Sequence, residues 1–176
     1  MVGKLPLITA EQWKQLGYSE QVHGFYHRCT WSKRRGLERL QHMLHEQSQG
    51  GDGKVVLVGE YDSSWWRHGG RFKRTKIPYN EHILPNWEVF VAELKKKKGS
   101  LNQFKIHDID IPPSPFFATK ILPALSNLSH LELNSCKLKR KDIRSIAKFL
   151  QKNSVLTTLD LSMNNKIFHK ADDLRS

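Results

Sequence analysis

Apolar positions in this chain follow two rhythms that take turns. Leu128, Leu131, Leu133 and Cys136 recur as Leu156, Leu159, Leu161 and Asn164, each pair 28 positions apart. Leu101, Phe104, Ile106, Ile109 and Ile111 stand 27 positions before Leu128, Leu131, Leu133, Cys136 and Leu138, so a third copy precedes the other two. The last two apolar residues of each L-x-x-L-x-L core are two apart, which puts both on one side of a short strand and turns the polar residues beside them to the other. The second rhythm is helical. Ile143, Ile146, Ala147 and Leu150 are spaced i, i+3, i+4, i+7 and share one face, and Trp87, Phe90, Val91 and Leu94 repeat that spacing 56 positions earlier, two periods away. Strand, tight turn and helix make one coil, which buries its apolar side only by stacking on the next coil. The pattern predicts buried Leu128, Leu131, Leu133, Leu156, Leu159 and Leu161, with the strands of successive copies adjacent and parallel.

This repeat, with Cys136 or Asn164 following L-x-L, resembles the leucine-rich repeat in its ribonuclease-inhibitor-like form, over Trp87 to Ile167. The first copy departs from it, with Ile109 at the Cys or Asn position and Pro112, Pro113, Pro115 and Pro123 around its helix. The resemblance implies an α/β fold: a leucine-rich-repeat solenoid of about three strand-helix coils, the last incomplete, over residues 86–176, behind a basic mixed α+β N-terminal cap region over residues 1–85. It also implies a protein-protein interaction module and not an enzyme, because the family binds partners with the strand residues that alternate with the buried leucines. That rule selects Gln103, Lys105 and His107, then His130, Glu132 and Asn134, then Thr158, Asp160 and Ser162.

Ahead of the repeats, Thr9 and Gln12 have the spacing of a capping box for a short helix that ends before Gly17. Leu37, Leu40 and Leu44 fall on one face of a helix expected from Ser32 to Gln47, with Lys33, Arg34, Arg35 and Arg39 crowded into its first half, the unfavourable end of the dipole for cations. SQGGDG breaks that helix and Lys54 to Tyr61 follows as a strand. Pro85 then precedes Asn86, an expected N-cap for the helix of Trp87, which closes on four lysines and Gly99. At the far end, FHKADDLRS after Ile167 is too short to complete a coil. The expectation is a piece of a longer array whose uncapped C-terminal edge invites self-association.

Charge narrows the partners. A net charge of +12 and an isoelectric point near 9.8 favour an acidic protein partner and leave nucleic acid open. Ribonuclease inhibitors capture basic enzymes with acidic surfaces, a role this balance disfavours. The basic aromatic stretch Trp65, Trp66, Arg67, Arg71, Lys73, Arg74 and Lys76 combines phosphate-neutralising cations with rings that stack on bases, so the alternative reading is a single-strand nucleic-acid binder that uses the repeats as scaffold. Solvated surface is the competing explanation for the same residues.

Two cysteines make no disulfide framework, and no apolar run approaches the roughly 20 residues of a membrane helix or forms a signal peptide. These features lead to the expectation of an intracellular protein, in the cytoplasm or the nucleus, that contacts no membrane. His23, His27 and Cys29, or His42 with His45, lack the paired spacing of a metal site. GGDGK departs from a phosphate loop at its first glycine position, at Val55 and in the strand that follows. With no nucleophile or paired-carboxylate frame, neither catalysis nor a cofactor is expected.

Overall fold

The computed structural model describes residues 8–15, 25–49, 53–59, 76–97 and 99–164, with backbone only at Ala10, Trp13, Lys14 and residues 25–35. Within these residues the protein is α/β. Four parallel strands, β1 (Lys54–Val58), β2 (Gln103–His107), β3 (His130–Asn134) and β4 (Thr158–Asp160), lie side by side in sequence order. Phe104 pairs with Leu131 and Ile106 with Leu133, 27 positions on, and Leu131 pairs with Leu159, 28 positions on, so the two sequence periods are the register of the sheet.

Parallel neighbours require crossovers, and helices supply them. The crossovers are α3 (Leu84–Lys96) between β1 and β2, a run of α4 (Ser114–Phe116), a π turn (Phe117–Ile121) and α5 (Leu122–Ala124) between β2 and β3, and α6 (Arg140–Leu150) between β3 and β4. The π turn has a local cause. Pro123 has no N–H to continue the α ladder, and the Leu122 amide reaches Phe117, five residues back. Two helices come earlier, α1 (Ala10–Gln15) and α2 (Phe25–Gln49), and α2 packs along α3 and β1. The predicted capping box closes α1: the Thr9 amide donates to Gln12 Oε1 at 2.8 Å and the Gln12 amide to Thr9 Oγ1 at 3.2 Å.

One core runs through the first three coils, with the half-buried Leu156 and Leu161 of the fourth packed against it. Val55 and Leu57, Phe104 and Ile106, and Leu131 and Leu133 point from the sheet toward Trp87, Phe90 and Leu94 of α3, Phe117 and Ile121 of the π turn, and Leu37, Leu40 and Leu44 of α2. The strand-to-helix turn also repeats. Asp108, Ser135 and Met163 all take left-handed backbone with φ of 54°, 56° and 59°, at spacings of 27 and 28. Non-glycine residues adopt that conformation at a cost, so its recurrence reflects the coil geometry and not the side chains.

Several expectations are corrected. Leu159 is 43% exposed, and Leu156 and Leu161 are half-buried, because β4 has a described neighbour on one side only. Ala147 is exposed, which leaves Ile146 as the buried centre of α6. Asn86 lies inside α3, buried, and accepts a hydrogen bond from Gln41 Nε2 at 3.1 Å. The capping asparagine is Asn80, which receives the His82 amide of the preceding 3-10 turn. Because α2 starts at Phe25, Lys33, Arg34 and Arg35 lie mid-helix, where the dipole argument against them does not apply.

Candidate protein-binding face

The face of the sheet away from the helices is built by alternation. On β2 and β3 buried and half-buried residues take turns, so Gln103, Lys105, His107, His130, Glu132 and Asn134 share the outer side. Thr158 and Asp160 continue it on β4, and Ser162 follows just beyond. Register assembles them into rows: Gln103, His130 and Thr158 in one, Lys105, Glu132 and Asp160 in the next, His107 and Asn134 in the third. All nine sequence-selected residues therefore occupy one continuous surface.

They are bonded to one another across the strands. Glu132 takes Lys105 Nζ on Oε1 at 2.5 Å and His107 Nε2 on Oε2 at 3.1 Å. The hydrogen bond from Lys105 holds the Glu132 carboxyl below the usual glutamate range against the opposing effect of burial, with His107 adding to it. Asn134 Nδ2 donates to Ser162 Oγ at 2.5 Å, and the Ser162 amide donates to Asp160 Oδ1 at 2.8 Å. The Ser162 hydroxyl and amide are the main causes of a lowered Asp160 pKa. These bonds fix side chains that would otherwise lose rotamer freedom on binding, which pre-organises the surface.

Sequence reasoning missed one column. β1 pairs with β2 in parallel, Lys54 against Gln103, Val56 against Lys105 and Val58 against His107, and so adds Lys54, the exposed Val56 and the half-buried Val58 to the rows. Backbone links at the strand ends repeat across all coils: the Gly59, Asp108 and Ser135 amides donate to the His107, Asn134 and Ser162 carbonyls. Only the interval differs, since β1 and β2 are 49 positions apart while Ile77, which bridges to Ile109, is 32 from its partner. The difference of 17 positions is an insertion in the first coil between Gly59 and Ile77. It contains the basic aromatic stretch.

Of that stretch, Trp65, Trp66, Arg67, Arg71, Lys73 and Arg74 lie outside the described residues. Lys76 lies within them, and its ammonium is 2.8 Å from Oδ1 of the buried Asp110, whose other oxygen is 3.3 Å from Lys137. Both ends of the insertion meet the sheet at neighbouring points, Gly59 at the His107 carbonyl and Ile77 at the Asp108 carbonyl.

The face offers hydrogen-bonding groups in fixed positions. Cys136 is buried with its thiol 3.2 Å from the Ile106 carbonyl, and burial pushes its pKa up. Among the described residues no three His, Cys, Asp or Glu side chains gather at metal-binding distance, and no helix is long and apolar enough to cross a membrane. His23 lies outside the described residues, as do the side chains of His27 and Cys29. No protein-family model, curated protein or solved structure matches the chain.

Proposed function

We propose that this chain is a leucine-rich-repeat solenoid segment of the ribonuclease-inhibitor-like type, and that it works inside the cell as a non-enzymatic module binding a protein partner on its outer sheet face. The observation that carries this reading is the alignment of polar side chains from consecutive strands into cross-bonded rows, with Val56 set among them. A surface with fixed polar groups and an apolar spot suits recognition of another folded surface. Its size favours a longer array or a modest interface, since a standard interface takes roughly 800 Å² from each partner. The charge of +12 favours an acidic partner.

The test reverses the central ion pair. In the double variant K105E/E132K the cross-strand pair is retained in mirrored form, so the fold should survive while the partner meets inverted charges. Proximity labelling in cells with the native chain as reference should lose its strongest partners in this variant. Unchanged labelling with a native-like melting curve would remove the sheet face from the reading. Oligonucleotide binding measured across a salt series addresses the alternative. Tight binding that falls steeply with salt, and is lost on neutralising Arg67, Arg71, Lys73 and Arg74, would favour nucleic acid.

A further inference from the structure

On the opposite side of the molecule the second and third coils leave a trough of about 450 Å³ between their helices. One wall is the run through the π turn, α5 and the turn that follows, where Ala118, Leu122 and Ser126 recur every four residues. Ser145 and Phe149 of α6, also four apart, make the other wall. Ala118, Ser126 and Ser145 are small and leave the space, with Leu122 between the first two on one wall and Phe149 one turn beyond Ser145 on the other. The eight positions from Ala118 to Ser126 wind through the π turn, α5 and the turn after it, so this wall is roughly two turns long. That length matches the contact face of a short amphipathic helix laid between two others.

Charge identifies the occupant. Lys148, exposed in the last turn of α6, and Lys152, exposed in the turn that follows it, line the trough four positions apart. No carboxylate pairs with either among the described residues. From Ile111 to Leu159 the chain carries eight Lys or Arg and two acids, and neither acid is available. Glu132 is bonded on the sheet, while Asp142 is buried with its Oδ2 accepting the Lys139 amide at 2.7 Å. A second copy of this chain, itself at +12, is a poor fit, and a trough open along its length would leave an acyl chain half in water.

We infer that the trough docks an acidic amphipathic helix of a partner protein, with apolar residues one turn apart against Leu122 and Phe149 and carboxylates one turn apart meeting Lys148 and Lys152. This second surface is independent of the sheet face and stands whether or not that face binds anything.

Selection from a displayed library of peptides about 12 residues long, against the full chain, tests it. The expected winners pair apolar residues at i, i+4 with two or more Asp or Glu. Fluorescence anisotropy on a winning peptide should then show at least about a tenfold loss of affinity for Ser145→Trp, which fills the trough, and for Lys148→Glu. Lys95→Glu, an exposed cation on α3, should leave affinity unchanged. Ala118→Leu fills the trough from the other wall and replaces Ser145→Trp if the latter melts early. Overturning results are a library yielding no acidic amphipathic consensus, full affinity in both filling variants, or equal losses in Lys148→Glu and Lys95→Glu, which would mean charge alone. Retention on phosphatidylserine vesicles without any selected peptide would also overturn it, in favour of a lipid surface.

Discussion

Asn164 stands 28 residues after Cys136, and its side-chain oxygen accepts the Cys136 amide at 2.9 Å and the Leu138 amide at 3.2 Å. Its Nδ2 returns the link, donating to the Leu133, Leu161 and Ser162 carbonyls at 2.7, 2.8 and 3.0 Å. A single buried side chain thus supplies the backbone partners that two successive turns would otherwise lack. Buried amides and carbonyls are costly to leave unpaired, each about 1 to 3 kcal/mol.

Asn164→Ala should therefore destabilise the protein by roughly 3 kcal/mol or more, well above a typical surface substitution. Asn164→Asp keeps the acceptor and loses the donor, and it places a carboxylate among carbonyls, so it should be no better. Urea denaturation measures both. A loss below about 0.5 kcal/mol in Asn164→Ala would show that the turn amides find other partners.

Leucine truncations read out the register. Leu133 is fully buried between neighbouring coils, and Leu133→Ala should cost about 2 to 5 kcal/mol. Leu159 on β4, the register partner of Leu131, is 43% exposed and should cost far less. Equal losses by thermal or chemical denaturation would mean that Leu159 is covered in solution.

Most of the sheet was legible because the strand pairing inherits the sequence period, so matching Leu131 to Leu159 by counting also matched them in space. That the face residues of β2 and β3 share one side followed from alternation, while their choice as a binding surface followed from the family resemblance. β1 was legible as a strand, but its place beside β2 in the same sheet was hidden for two reasons. Its outward Val56 and Val58 mask the alternation of inward Val55 and Leu57, and the 17-position insertion removes it from the 27 to 28 residue spacing. Asn86 was misread because Pro-Asn is a good local start signal, whereas the buried Gln41 on α2 engages that amide inside the helix. The trough could not be read at all, since it depends on which small residues of two helices come to face each other.

Acid should weaken the face. Glu132 and Asp160 have pKa values below their ordinary 4.5 and 3.8. A carboxylate lowered in the folded state stabilises the fold above its unfolded pKa, and that contribution disappears as pH falls through the folded value. Glu132→Gln should thus be less stable than the native chain at neutral pH, with the gap closing as pH drops below 4.5. A gap constant across a pH series would mean that the Lys105 and His107 contacts contribute nothing through charge.

The insertion point gives a steric prediction. A Cβ on Gly59 would lie 2.4 Å from the Asp108 carbonyl oxygen, a collision with backbone that no side-chain rotation relieves. Gly59→Ala must therefore push β1 away from β2 at the end where the insertion leaves. The expected cost is about 1 to 3 kcal/mol, the range for overpacking. Chemical-shift changes concentrated at Val58, His107 and Asp108 would accompany it. A neutral substitution would indicate that β1 does not pair with β2 in solution.

The edge of the sheet sets the last expectation. β3 is bonded to strands on both sides, whereas β4 is bonded to β3 alone among the described strands, and Val155, Leu159 and Met163 around it are 49%, 43% and 61% exposed. In a stacked array each coil draws stability from its two neighbours, so a coil with one should open locally at lower free energy than the interior. Amide hydrogen exchange should accordingly show Leu131 and Leu133 protected far longer than Leu159 and Leu161. The same edge, apolar and unpaired among the described residues, should bind a second molecule as concentration rises, and dimerisation would slow exchange at Leu159 before it affects Leu131. Equal protection of the two strands in a sample shown by sedimentation to be monomeric would contradict the edge argument, because some element would then have to cover β4.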